Sequence, residues 1–267
     1  MDLSILPIFR TSLGIGTSLL TLDPPGKAKP GNPLSVFDLS QSAGLKEVTI
    51  LDERIDGYLS AYKVADKLGV QLNYGLKLTV CADVGDKTPE SRLTESRIIL
   101  LFRNSQAYHD SIKIWNRAWG HAGSFNRRGA TYGRTDWKTL KWLWTENLDL
   151  GLPFFSSFIA RNTLSFARIV PQLPTENVWI FRELDSRLPF APLIDSAIDR
   201  YTGGITDMIL PSKTILYARA EDFKAYVLFR AIHNRKAFDS PDEDHLASDR
   251  FSFSAWQELQ GVSAVSP

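Results

Sequence analysis

Short apolar runs alternate with amphipathic stretches along this chain, and that alternation restricts its fold more than any other feature. Lys46-Glu47-Val48-Thr49-Ile50-Leu51 is a β-branched run that Asp52-Glu53-Arg54-Ile55-Asp56-Gly57 interrupts. Tyr58, Tyr62, Ala65 and Leu68 then recur at helical spacing, and Gly69 supplies a stop. Val70–Tyr74 and Leu76–Cys81 alternate with period two, as half-buried strands do. Ile98-Ile99-Leu100-Leu101-Phe102 is unbroken, the pattern of a strand buried on both faces in a parallel sheet. Asn104 or Ser105 caps a helix expected to bury Tyr108, Ile112, Trp115 and Trp119 before Gly120.

Beyond a Gly/Ser/Arg-rich loop, Thr135 or Asp136 opens a helix carrying Trp137, Leu140 and Trp144. Asn177–Phe181 and Lys213–Tyr217 read as later strands, and 220–232 as a closing helix. The sum is a parallel α/β architecture, barrel or doubly wound. Asp23–Pro33 and Asp83–Thr94 read as exposed loops, and the chain after Ala237 as a polar tail. No linker separates two parts, so one domain over 1–267 is expected.

Composition narrows the chemistry. Thirty-one Lys and Arg against 30 Asp and Glu argue against a uniformly basic coat for nucleic acid. One cysteine, Cys81, excludes an internal disulfide and a multi-cysteine zinc site. No apolar run reaches the roughly 18 residues of a membrane span, and the start lacks a signal-peptide pattern. A cytoplasmic location and no membrane partner are therefore expected.

Several motifs fail on inspection. Gly14-Ile15-Gly16-Thr17-Ser18 lacks the Lys-Ser/Thr of a phosphate loop and the third glycine of a dinucleotide turn. Gly123-Ser124 does not complete a nucleophile elbow. His109, His121, His233 and His245 are not paired at metal-ligand spacing. Asp239, Asp242, Glu243, Asp244 and His245 read as a solvated acidic stretch. Asp52-Glu53, at the end of an apolar run, stands where parallel α/β folds place their sites. From Lys113 to Trp144, cations including Arg127, Arg128, Arg134, Lys138 and Lys141 are interleaved with aromatics, a composition suited to single-stranded nucleic acid, while the helical spacing of Trp115 and Trp119 favours the alternative that the tryptophans are core and the cations solvated helix faces.

Divergently, but over most of its length, the chain resembles the PHP (polymerase and histidinol phosphatase) domain at the N-terminus of the bacterial replicative DNA polymerase III α subunit. Val48-Thr49-Ile50-Leu51-Asp52-Glu53 takes the place of a strand ending in T-D-H. Asn73–Leu78 takes the I-x-G-x-E place, and Arg97–Asn104 followed by Ala107-Tyr108 takes that of H-L-V-L-L-A-x-N. Ser212–Tyr217 with Glu221–Tyr226 resembles the N-D-V-H-Y strand and E-D-A-x-A-H helix.

The resemblance implies a distorted TIM-like (β/α)7 barrel of PHP type. It also locates the family's metal ligands, and this chain has lost most of them. The first-strand places are Leu6, Ile8 and Arg10; Glu53 replaces a histidine, Lys77 a glutamate and Arg97 a histidine; Thr214 and Leu216 replace the late pair. Only Asp52 keeps a ligand identity, with Glu53 as the other candidate carboxylate. Arg10, Lys77 and Arg97 would repel a divalent cation, so no metal or other cofactor is expected, and cations pairing with Asp52 and Glu53 would keep the barrel mouth neutral.

The implied role is a metal-free module of a polymerase III α-like replicative polymerase, in a bacterial cell or a phage-infected host. It would dock on the polymerase core or another replisome subunit, using exposed aromatics such as Phe253 and Trp256, with single-stranded DNA a candidate second partner. The palm carboxylates of such a polymerase lie outside the matched region, so the chain alone is not expected to polymerise DNA. The rivals are a metal-dependent phosphoesterase or 3′–5′ exonuclease using Asp52, Glu53, His121 or His245, and a single-stranded nucleic-acid-binding module.

Overall fold

The computed structural model describes residues 5–13, 17–28, 32–127, 130–165, 167–234 and 248–261. Its elements run β1 (Leu6–Phe9), α1 (Val36–Ser42), β2 (Glu47–Asp52), α2 (Gly57–Leu68), β3 (Gln71–Cys81) and β4 (Ser96–Phe102). There follow α3 (Gln106–Trp119), β5 (Ser124–Arg127), β6 (Ala130–Asp136), α4 (Trp137–Leu143), β7 (Leu148–Leu152) and α5 (Phe158–Leu164). The last are β8 (Val178–Glu183), α6 (Ala191–Thr202), β9 (Ile209–Ile215), α7 (Phe223–Asn234) and α8 (Phe253–Leu259). Among the described residues no helix is long and apolar enough to cross a membrane.

The strand order is β2-β1-β9-β8-β7-β4-β3-β6-β5, and β2 also pairs with β3, so seven strands close into a mixed β-barrel in an α/β chain. The expectation of a parallel sheet is corrected at β4, which is antiparallel to both β3 and β7. The reason lies in the connection. The connection between β3 and β4 carries a 3-10 turn at Pro89–Thr94 and no α-helix, whereas a parallel return usually runs through an α-helix.

By internal contacts the chain forms two compact units. The first comprises Met1–Tyr74, Glu183–Pro189 and Pro211–Pro267, and the second Gly75–Arg182 and Phe190–Leu210. Three strands, β3, β8 and β9, contribute residues to both. No boundary could be marked by a sequence linker, because neither unit is contiguous.

In the first unit β1 lies parallel to β2 and β9, with Ile8 opposite Thr49 and Thr214. Helix α2 buries Tyr58, Ala61 and Ala65, and ends at Gly69, whose φ of 64° is the left-handed conformation that glycine tolerates. The two expected strands over 70–74 and 76–81 are one, β3, over Gln71–Cys81. Residues 248–261, expected in a polar tail, instead hold α8, capped by the Ser252 side chain. Phe253 is 3% and Trp256 6% exposed, Phe253 stacks on Phe9, and the Trp256 indole N–H donates to the Ile5 carbonyl. These two aromatics are core, and the expectation that they form a docking surface is withdrawn.

In the second unit α3 buries Ala107, Asp110, Ser111, Ile114 and Ala118 instead of the large aromatic stripe. Small side chains let the helix approach the sheet closely, and the larger ones spread over its flank. Trp119 packs on β6 at Gly133, where an added Cβ would lie 2.6 Å from the indole. The expected loop before Thr135 is the hairpin β5–β6. Helix α4 begins where expected, with the Asp136 carboxylate accepting from the Thr139 N–H.

Candidate functional site

In the first unit the strand ends carry two sets of buried charges. At the end of β2, Asp52 is 3% exposed. The Thr11 backbone N–H donates to its Oδ1 at 2.9 Å, and the Thr11 hydroxyl donates to its Oδ2 at 2.6 Å. Burial nevertheless pushes the Asp52 carboxyl above its usual range, against the pull of Thr11 and Arg10. One residue past β1, the Arg10 guanidinium meets Glu53 Oε1 at 2.7 Å, with side-chain exposures of 7% and 33%. Burial opposes the charge of Arg10, but Glu53 and Asp52 beside it hold its pKa above the ordinary arginine value.

A second set joins β8 to β9. Glu183 accepts from the Thr214 N–H at 3.1 Å and from the Thr214 hydroxyl at 2.6 Å, and lies 3.3 Å from Lys213 Nζ. Lys213 also donates to the carbonyls of Leu184 and Asp185 and lies over the Phe251 ring. Burial pushes Glu183 up and Lys213 down, each opposed by the partner charge. The turn after β8 is strained, with Asp185 and Arg187 at φ values of 47° and 53°.

Of the positions at which the resemblance would place metal ligands, Leu6 lies opposite Ser212 and Ile8 opposite Thr214, while Leu216 is fully buried and hydrogen-bonded through its backbone to Phe251. Arg10 pairs with Glu53 as charge balance anticipates. Lys77 and Arg97 belong to the second unit, half-buried in β3 and β4 opposite Ile99 and Thr79. Sequence reasoning missed Thr11 and the Glu183–Lys213 pair. Lys213 carried a signal: a charge inside an apolar strand demands a buried partner.

The donor set does not suit a multinuclear metal site. Both oxygens of Asp52 are held by Thr11, one oxygen of Glu53 is held by Arg10, and no group of three or more His, Cys, Asp or Glu converges among the described residues. His121 is exposed in the turn after α3; His245 and the acidic stretch 239–245 lie outside the described residues.

The expected nucleic-acid segment divides. Arg134 is fully buried, 3.0 Å from Glu95, bonded to Ser91 Oγ and the Asp86 carbonyl, and 4.0 Å from the centre of the Phe125 ring. That commitment to the interior corrects its assignment as a phosphate contact. Lys138 and Lys141 are exposed on α4 beside Trp142, which is 77% exposed. Arg127 ends β5, and Arg128 lies outside the described residues. An open groove of about 910 Å³ in this unit is lined by Lys141, Pro174, Glu176, Tyr201, Ile205 and Met208 among others. Glu176 dilutes its positive charge.

No protein-family model matches the sequence, and no curated protein matches it either.

Proposed function

We propose that the chain is a PHP-type module, a distorted TIM-like barrel, of a DNA polymerase III α-like replicative polymerase, and that ion pairs and hydrogen bonds now occupy its former metal site. It works by shape and by docking on the polymerase core or another replisome subunit, in the cytoplasm of a bacterial or phage-infected cell. The observation that carries this reading is the ion pair between Arg10 and Glu53. A guanidinium from one ligand place neutralises a carboxylate from another, and a divalent cation could bind there only by displacing that contact and overcoming the arginine's charge.

Two further features support it. Thr11 donates to both oxygens of Asp52, the one residue that keeps a ligand identity. The register of β1 and β9 sets Ile8 opposite Thr214, bringing together an early and a late ligand place far apart in sequence, as a common ancestral centre would require.

Affinity capture of the tagged chain from its host, with mass spectrometry of co-purifying proteins, tests the docking role: a replicative polymerase subunit is expected. Incubating the purified chain with labelled single-stranded DNA and Mn²⁺ tests the loss of hydrolysis. Nucleotide release that Asp52→Asn and Glu53→Gln both abolish would overturn the reading in favour of a metal-dependent exonuclease.

A further inference from the structure

We infer that the groove of about 910 Å³ in the second unit is the docking site for an extended peptide segment of a partner protein, one whose apolar side chains lie between an acidic and a basic residue. The groove brings together three parts of the chain. They are Lys141 of α4, the stretch Leu173–Glu176 before β8, and the end of α6 with Ile205 and Met208 beyond it.

Most of its lining is apolar and open to water. Tyr201 is 43% and Ile205 57% exposed, and Leu173, Pro174 and Met208 are half-buried beside them. Single exposed apolar residues are ordinary on a protein surface. A set of them gathered in one concave place, with charged groups alongside, marks a surface that another molecule removes from water. Lys141 and Glu176 are those charged groups. Both are exposed, and among the described residues neither is in an ion pair, with the other or with any third group.

The two charges select the occupant. Phosphates of a single strand would gain from Lys141 but meet repulsion from Glu176, and walls that are chiefly aliphatic offer unpaired bases little to stack on. A peptide answers both charges, with an acidic side chain for Lys141 and a basic one for Glu176, and covers Ile205 and Met208 with its apolar residues.

The walls are set before anything binds. The Ile205 N–H donates to the Thr202 carbonyl at 3.1 Å, and the Met208 carbonyl accepts from the Ile180 N–H of β8 at 2.8 Å. Thr175 Oγ1 accepts from the Asn177 N–H at 3.1 Å, and the Tyr201 ring meets Phe158 of α5 edge-on with centres 5.3 Å apart. A groove formed in advance loses little freedom on binding. The inference rests on the docking role proposed above and gives that role a surface.

The test selects a random-sequence peptide library on the purified full chain. Recovered peptides are then titrated by fluorescence anisotropy against the wild type, Ile205→Glu, Lys141→Glu, Glu176→Lys and the double variant Lys141→Glu/Glu176→Lys. All three positions are exposed, so these variants keep the fold. The peptides are expected to share apolar residues between one acidic and one basic residue. Ile205→Glu and each single charge reversal are expected to weaken binding about 10-fold, and the double variant to prefer peptides with the two charges exchanged. No shared pattern, or binding that every variant leaves unchanged, overturns the groove as a docking site. Oligothymidylate titrated in parallel is expected not to bind there; binding that Lys141→Glu abolishes would overturn the peptide in favour of a nucleic acid. The selection involves no polymerase, so the groove can fail while affinity capture still recovers a polymerase subunit, and the groove can hold while that capture fails.

Discussion

Thr11 holds both oxygens of Asp52, with its N–H 2.9 Å from Oδ1 and its hydroxyl 2.6 Å from Oδ2. One residue thereby ties the chain leaving β1 to the end of β2 and satisfies a carboxylate that is 3% exposed. Thr11→Val keeps the shape and the N–H contact but removes the hydroxyl. A loss of about 1–3 kcal/mol is expected, the range for a buried polar group deprived of a partner.

The pH dependence of that loss follows from the raised Asp52 pKa. A carboxyl whose folded pKa exceeds its ordinary value of 3.8 favours the folded state when protonated, and this contribution fades as pH rises from 3.8 through the folded value. Without the hydroxyl the folded value rises further, so the Thr11→Val penalty is expected to be larger at about pH 7 than at about pH 4. Urea denaturation at both values checks this; a penalty that is independent of pH would show that Asp52 is not the group affected.

The buried pair Lys213–Glu183 makes a different prediction. Lys213→Met strands a carboxylate with 2% side-chain exposure and is expected to cost about 3–5 kcal/mol. Adding Glu183→Gln removes the stranded charge and retains a carbonyl oxygen for Thr214. The double variant is therefore expected to be more stable than Lys213→Met alone, and a double-mutant cycle by chemical denaturation measures the coupling.

Arg134 and its exposed neighbours separate interior from surface. Arg134→Gln breaks the ion pair with Glu95 and empties the space over Phe125, with an expected cost of about 3–5 kcal/mol. Lys138→Ala and Lys141→Ala alter solvated positions on α4 and are expected to change stability by less than about 0.5 kcal/mol. Thermal melts of the three variants compare them directly.

These residues show which features of the fold were legible. β2, α2 and the stop at Gly69 were readable because runs, periods and glycine stops are local signals, confined to about a dozen residues. The direction of β4 was not. An unbroken apolar run reports burial on both faces, and a central antiparallel strand has the same need as a parallel one. The hairpin β5–β6 was hidden by a Gly- and Arg-rich composition that resembles a loop, although Gly133 is there to admit Trp119 and Arg134 to reach Glu95. At the candidate site, the carboxylate of Asp52 and the cation Arg10 were visible in sequence. Other contacts were less so: Thr11 lies 41 residues from Asp52, and Lys213 bonds the Leu184 carbonyl 29 residues away, distances that no local pattern spans.

Asp110 gives the last prediction, with the opposite sign in acid. Its carboxylate, 3% exposed in α3, accepts from Asn147 Nδ2, Lys113 Nζ and the Thr145 hydroxyl, each at 2.9 Å. Asn147, Lys113 and Thr145 together hold its pKa down at about 2, against 3.8 for an ordinary aspartate. A depressed folded pKa means that stability is fully present above 3.8 and is lost as pH falls from there toward about 2. Asp110→Asn cannot titrate and turns one acceptor into a donor facing other donors, so it is expected to be less stable at neutral pH by about 1–3 kcal/mol. Its stability should also fall less steeply on acidification, because the proton uptake by Asp110 is gone. Unfolding free energies from urea titrations at several pH values across this window measure both effects. Parallel acid limbs in wild type and variant would show that Asp110 carries no linked proton, whatever the neutral-pH difference.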